Sequence, residues 1–130
     1  VLERTREVLS FAPWAPVLTL SAKTGRGTHK LVAVARAALE EHEKRIPTAA
    51  LNRFFEEVLE HHPPPTHRGR AVRLLYVTQA STRPPTFVAV TNEPDAVHFS
   101  YRRYVINALR ERFGFAGTPV KVFYRRRRRR

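Results

Sequence analysis

Ten prolines cut this 130-residue chain into short pieces. Proline lacks a backbone N–H, breaks a helix interior, stays out of sheet centres and pushes its predecessor from helical space. Pro13 and Pro16 therefore end residues 2–9, where charges interleave with Leu2, Val8 and Leu9 as in the last turns of a helix. Pro47 separates two helical patterns, residues 63–65 (PPP) stop the second, and Pro84 and Pro85 fall between two β-prone runs. No apolar run approaches the roughly 20 residues of a membrane-spanning helix, and no basic-then-apolar leader opens the sequence. Cysteine is absent, so no disulfide or thiolate metal site is available. The 42% apolar content and clear periodicity argue for a folded domain with a modest core.

Between the prolines the patterns are specific. Residues 17–20 (VLTL) are β-prone and apolar enough for a strand covered on both faces. The loop SAKTGRG follows, then Thr28 as a candidate cap and Leu31, Val34, Ala35, Ala38 and Leu39 in one apolar stripe. The end of that helix, EEHEKR at 40–45, is polar all round and predicts a solvent-facing stretch. From Thr48, the residues Leu51, Phe54, Phe55, Val58 and Leu59 recur at i, i+3, i+4, i+7 and i+8, the spacing of an amphipathic helix. Residues 72–79 and 87–91 read as strands joined by a loop longer than two residues, and 94–97 as one helical turn. Ser100 is a candidate cap for a helix burying Tyr101, Tyr104, Val105, Ala108 and Leu109, ended by the glycines of FGFAG. Residues 119–124 form the last predicted strand. The expected fold is α/β (α+β): order α-β-β-α-α-β from Thr48, with a three-stranded sheet and helices on one face. Residues 1–46 supply only helix, strand and helix, which cannot close a sheet alone.

Charge is unevenly placed. Residues 1–60 carry nine basic and eight acidic side chains, whereas residues 61–130 carry fifteen and three. The second half has the footprint of a polyanion binder, and it stays basic without the terminal arginine run.

The runs LNRFFEEVLEHHPPP (51–65), STRPPTFVAVTNEP (81–94) and FSYRRYVINALRERFGFAGTPV (99–120), with SAKTGRG upstream, resemble the C-terminal part of the Der family, also called EngA. The similarity spans all but the arginine tail. It implies that residues 1–46 end the second of two tandem GTPase domains and that 47–124 form a KH-like domain. Residues 125–130 are then a basic tail that departs from the family. It also implies a cytoplasmic, GTP-binding protein acting in assembly of the large ribosomal subunit. Its partners would be that subunit's RNA and its own GTPase domains, with no membrane; GTP and Mg²⁺ would be cofactors of the intact protein. Ser21, Ala22 and Lys23 match the segment that contacts the guanine ring in such GTPases.

A triphosphate needs a glycine-rich cradle at a helix N-terminus, with lysine and Mg²⁺ beside it. The pattern G-x-x-x-x-G-K-[ST] is absent, and so is Asn-Lys-x-Asp. No catalytic residue and no cofactor are therefore expected in this chain, whatever intact family members hydrolyse. Two other readings stay open: a stand-alone KH-like nucleic-acid-binding module, and a protein-interaction platform.

Working KH domains clamp single strands with a GXXG loop. Here the corresponding stretch is AVHFS at 96–100, and no glycine occurs between Gly69 and Gly114. RNA contact would fall instead to Arg102, Arg103, Arg110, Lys121, Arg125, Arg126, Arg127, Arg128, Arg129 and Arg130, since arginine meets phosphate bidentately. The bland alternative is a solvated helix face with a frayed tail. His61, His62 and His67 lie in a proline-broken stretch and read as a polar loop rather than a metal site. Tyr101, Tyr104 and Phe113 read as core, while Tyr76 and Phe87 could stack on bases only from an open sheet face. Residues 17–20, without sheet neighbours, are expected to pack on the KH-like part or drive self-association.

Overall fold

The computed structural model describes residues 1–128. Its elements are α1 (Leu2–Val8), α2 (His29–His42), α3 (Thr48–His61), β1 (Leu74–Ser81), β2 (Thr86–Thr91), a 3₁₀ turn (Pro94–Ala96), α4 (Phe99–Phe113) and β3 (Lys121–Arg126). The three strands form one sheet in the order β1-β2-β3. β1 and β2 are an antiparallel hairpin, whereas β3 runs parallel to β2, with Phe87 opposite Val122 and Ala89 opposite Tyr124. A parallel neighbour requires a crossover, and α4 is that crossover.

One face of the sheet carries the core. Val77, Phe87 and Ala89 meet Leu51, Phe54, Phe55 and Val58 of α3 and Tyr101, Val105 and Leu109 of α4. Phe115, from the loop after α4, meets Phe87 edge-on with ring centroids 5.8 Å apart. Edge-to-face pairs of this kind are worth about 1 kcal/mol beyond their buried area. The Tyr101 hydroxyl donates to the His62 carbonyl at 2.9 Å, and burial, with Tyr104 beside it, pushes its pKa up to about 12.

Side-chain amides finish what the ladder leaves undone. Asn52 donates to the Val77 carbonyl and accepts from the Val77 N–H, both at 3.0 Å, so α3 covers backbone on β1 that faces away from β2. Asn92 does the same upstream, donating to the Ala71 carbonyl and accepting from the Arg73 N–H. Buried Gln79 accepts from the Ile46 N–H at 2.7 Å and donates to the Lys44 carbonyl at 2.9 Å. It thereby ties the connection between α2 and α3 onto the sheet.

Three local expectations change. Residues 17–20 join no ladder: they pair with neither edge of the sheet, and on the β1 edge Asn52 takes up the Val77 backbone. The polar end of α2 is not simply solvated. Glu41 accepts from the Phe115 N–H at 3.1 Å, Lys44 donates to the Phe113 carbonyl at 2.8 Å, and His42 Nδ1 lies 2.7 Å from Thr118 Oγ1. Gly117 sits at φ 84° with Ala38 against it, where an added Cβ would come within 3.0 Å of the Ala38 Cβ. Finally, α4 is capped by His98, whose ring accepts from the Ser100 N–H, rather than by Ser100 itself.

The substitution Gln79→Leu keeps bulk but strands the Ile46 N–H and the Lys44 carbonyl. Each stranded buried group costs about 1–3 kcal/mol, so chemical denaturation should show a loss of about 3 kcal/mol. A loss below about 0.5 kcal/mol would mean that the connection is held otherwise.

Candidate nucleic-acid interface

The SAKTGRG loop is closed by its own main chain. The Gly25 N–H donates to the Ser21 carbonyl at 2.8 Å, the Ser21 N–H to the Arg26 carbonyl at 2.9 Å, and Ser21 Oγ accepts from the Thr24 N–H. Ala22 and Lys23 are exposed on this turn. Thr19, Leu20, Ser21 and Arg26 line a recess of about 280 Å³ beside it. Around it, α2 has no buried residue, and its predicted apolar stripe leaves Leu31 and Leu39 each 51% exposed.

The loop entering α4, residues 92–98, holds no glycine, and a guanidinium braces it. Arg102 donates to the Val97 carbonyl at 2.9 Å and the Pro94 carbonyl at 2.8 Å, and it lies over the Tyr124 ring at 4.5 Å. Burial raises the pKa of the Tyr124 hydroxyl and keeps it neutral. Arg110 is similarly committed, donating at 2.8 Å to both the Phe115 and Thr118 carbonyls, and burial lowers its pKa. Both side chains brace loops, and main-chain carbonyls hold two of the five N–H donors of each guanidinium.

The other basic candidates divide between two poles. Residues 103 and 110 lie about 10 Å apart along α4, and 121 and 125 about 13 Å apart along β3. Arg110, Arg112 and Lys121 fall at the end near α2, where Arg112 pairs with Glu57. Arg103, Arg125, Arg126, Arg127 and Arg128 fall at the opposite end, β3 continuing two residues into the arginine run. Arg129 and Arg130 lie outside the described residues.

Strand direction then adds side chains that sequence spacing does not reveal. β1 begins where β2 and β3 end, so exposed Arg68, Arg70 and Arg73 arrive at the same pole. Glu93 marks the junction: it lines a recess of about 430 Å³ with Arg68 and Arg70, and it accepts from Arg126 at 3.2 Å. Phe99 stands 69% exposed at this pole with the Arg103 guanidinium 5.2 Å from its ring centroid. The charge asymmetry was legible in composition; the convergence of 68–73 with 125–128 required the topology.

Tyr101 is buried in the core, and Tyr104 is half-buried against the His62 ring at 4.6 Å. His62 is therefore packed on tyrosines. Among the described residues no group of three histidine or acidic side chains could share a metal ion, and no helix is long and apolar enough to cross a membrane. Phe87 is wholly buried, whereas Tyr76 lies on the sheet face away from the helices.

A helix, an antiparallel hairpin and a helical crossover to a parallel third strand define a KH-like α+β domain, here with an arginine bracing the loop that enters the crossover helix. The profile described as the KH-domain-like region of EngA bacterial GTPase enzymes, C-terminal, matches residues 45–125, and the chain belongs to that family. GTPase Der of Thermomicrobium roseum is 48% identical over 127 residues, 98% of this chain and 28% of that protein. GTPase Der of Geotalea daltonii is 42% identical over 126 residues, 97% of this chain and 29% of that protein. GTPase Der of Caldanaerobacter subterraneus is 43% identical over 125 residues, 96% and 28% respectively. The chain thus spans less than a third of the length of these relatives.

The two adjacent arginines of α4 should separate in their effects. Arg102→Ala removes donors to two carbonyls and the contact with Tyr124, and should lower stability by about 2 kcal/mol. Arg103→Ala, on an exposed position, should stay within about 0.5 kcal/mol. Equal losses in urea denaturation would contradict the assignment of Arg102 as the brace.

Proposed function

We propose that this chain is the C-terminal portion of a cytoplasmic GTP-binding protein that acts in assembly of the large ribosomal subunit, and that its own task is contact with ribosomal RNA. GTP and Mg²⁺ belong, in this reading, to preceding GTPase domains, to which the chain contributes only the turn Ser21–Ala22–Lys23 at the guanine ring. The observation that carries the RNA reading is the pole where strand direction brings Arg68, Arg70, Arg73, Arg103, Arg125, Arg127 and Arg128 together, with Glu93 pairing Arg126 among them. Such crowding of like charge is unfavourable in isolation and is relieved by a polyanion, which also releases its condensed counterions. Arg102, Arg110 and Lys121 contribute less, the first two through their main-chain bonds and the third through its place at the far end.

The uncovered apolar side of α2 supports docking on GTPase domains as the companion role. Leu31 and Leu39 would be covered there, while the bonds of Glu41, His42 and Lys44 transmit that position to the KH-like core.

Replacing Arg125, Arg127 and Arg128 together by glutamine should weaken binding of single-stranded and duplex RNA alike. The slope of log affinity against log salt should flatten by about 2 for single strands, three lost phosphate contacts at about 0.7 each. Fluorescence anisotropy over a salt series measures it, and an unchanged slope would refute the reading.

A further inference from the structure

Among the described residues, the elements packed on the sheet are α3, α4 and the 3₁₀ turn, and the opposite face carries none of them. By register, Tyr76, Val90 and Arg125 form one row across the three strands, and Thr78, Val88 and Phe123 the next. Phe123 is 56% exposed and Tyr76 40%, although both are large aromatic residues. Leu75, displaced by the irregularity between Leu74 and Tyr76, adds a further exposed side chain at 45%. Val90, 1% exposed, stands in the first row and outside the core beneath the helices.

Alternation along a strand would normally set polar residues on an open face. Here the two rows hold two rings, two valines and a threonine, and the charges in register with them, Lys121 and Arg125, are both cationic. No carboxylate occupies a position on this face in any of the three strands. Arg125 also joins the first row to the arginine pole at the strand ends. Flat aromatic rings on a rigid sheet beside guanidinium groups suit unpaired bases, whose faces stack while their phosphates meet the arginines. A duplex keeps its bases stacked inside and offers such rings nothing.

We propose that this open face is a stacking platform for single-stranded RNA, with Tyr76 and Phe123 each receiving a base and Arg125 holding the phosphate between the platform and the pole. The site rests on the RNA reading above and adds to it a preference for unpaired strands, on the side of the sheet away from the missing glycine clamp.

The test compares the full 130-residue chain with the double variant Tyr76→Ala, Phe123→Ala, using a short single-stranded RNA and an A-form duplex of equal charge. Stacking is worth about 1–3 kcal/mol per base, so single-strand affinity should fall by about tenfold or more while duplex affinity stays within about twofold. The salt slope should be unchanged, because no phosphate contact is removed. Tyr76→Phe with Phe123→Tyr should retain wild-type affinity, and circular dichroism melting of both variants checks that the fold survives. Equal losses on both RNAs, or no loss, would overturn the platform and leave the arginine pole standing. If the unaltered chain bound neither RNA, both proposals would fall. If sedimentation showed a dimer that the double variant dissolves, the face would be a contact between copies and the platform would be wrong.

Discussion

Strand β3 lies parallel to β2, and no tight turn can make such a pair. The chain must leave the end of β2, pass over one face of the sheet and return to its start before β3 can form. The 15 residues of α4 do this, about 22 Å of helix at 1.5 Å per residue, enough to cover the length of the six-residue strands. That passage buries Tyr101, Val105 and Leu109, places Phe115 against Phe87, and aims the C-terminal arginines toward the pole where β1 begins. An antiparallel β3 would send residues 125–128 toward the end occupied by α2, and the two basic segments would never meet.

The loop that leads into the crossover is closed by side chains. A loop that bares its backbone to phosphate must leave its carbonyls and N–H groups without side-chain cover. Here Arg102 takes up the Pro94 and Val97 carbonyls, His98 takes the Ser100 N–H, and the guanidinium rests on Tyr124. The same economy recurs after α4, where Arg110 holds two carbonyls of the loop that receives the end of α2. Two of the basic residues most prominent in the sequence are thus internal braces. The proposed contact with a polyanion rests instead on the exposed arginines at the pole and on the sheet face away from the helices.

How much of this was legible depends on the range of the interaction concerned. The spacing of Leu51, Phe54, Phe55 and Val58 specified α3 because a buried stripe is a local pattern, and all four are buried. The hairpin and α4 followed from similar periodicity, although β1 starts at Leu74 and β3 runs to Arg126, since an edge strand tolerates charge. The tasks of Gln79, Asn52 and Asn92 were hidden, because an amide's partners depend on which backbone groups tertiary packing leaves unpaired. Residues 17–20 misled for the converse reason: β-propensity describes fitness for a sheet, and these residues pair with neither edge of the one present. The place of Arg68, Arg70 and Arg73 was hidden as well, because only strand direction brings them to the end of the sheet where Arg126 lies.

Amide chemical-shift mapping of the isotopically labelled chain during titration with a short single-stranded RNA tests the central claim most directly, since it reports both poles at once. The account predicts that perturbations gather at Arg70, Arg73, Phe99, Arg103 and residues 125–128, spread to Tyr76 and Phe123, and leave Arg110, Arg112 and Lys121 near their free positions. Perturbations centred on the α2 end of the sheet, with the strand-end pole silent, would contradict it.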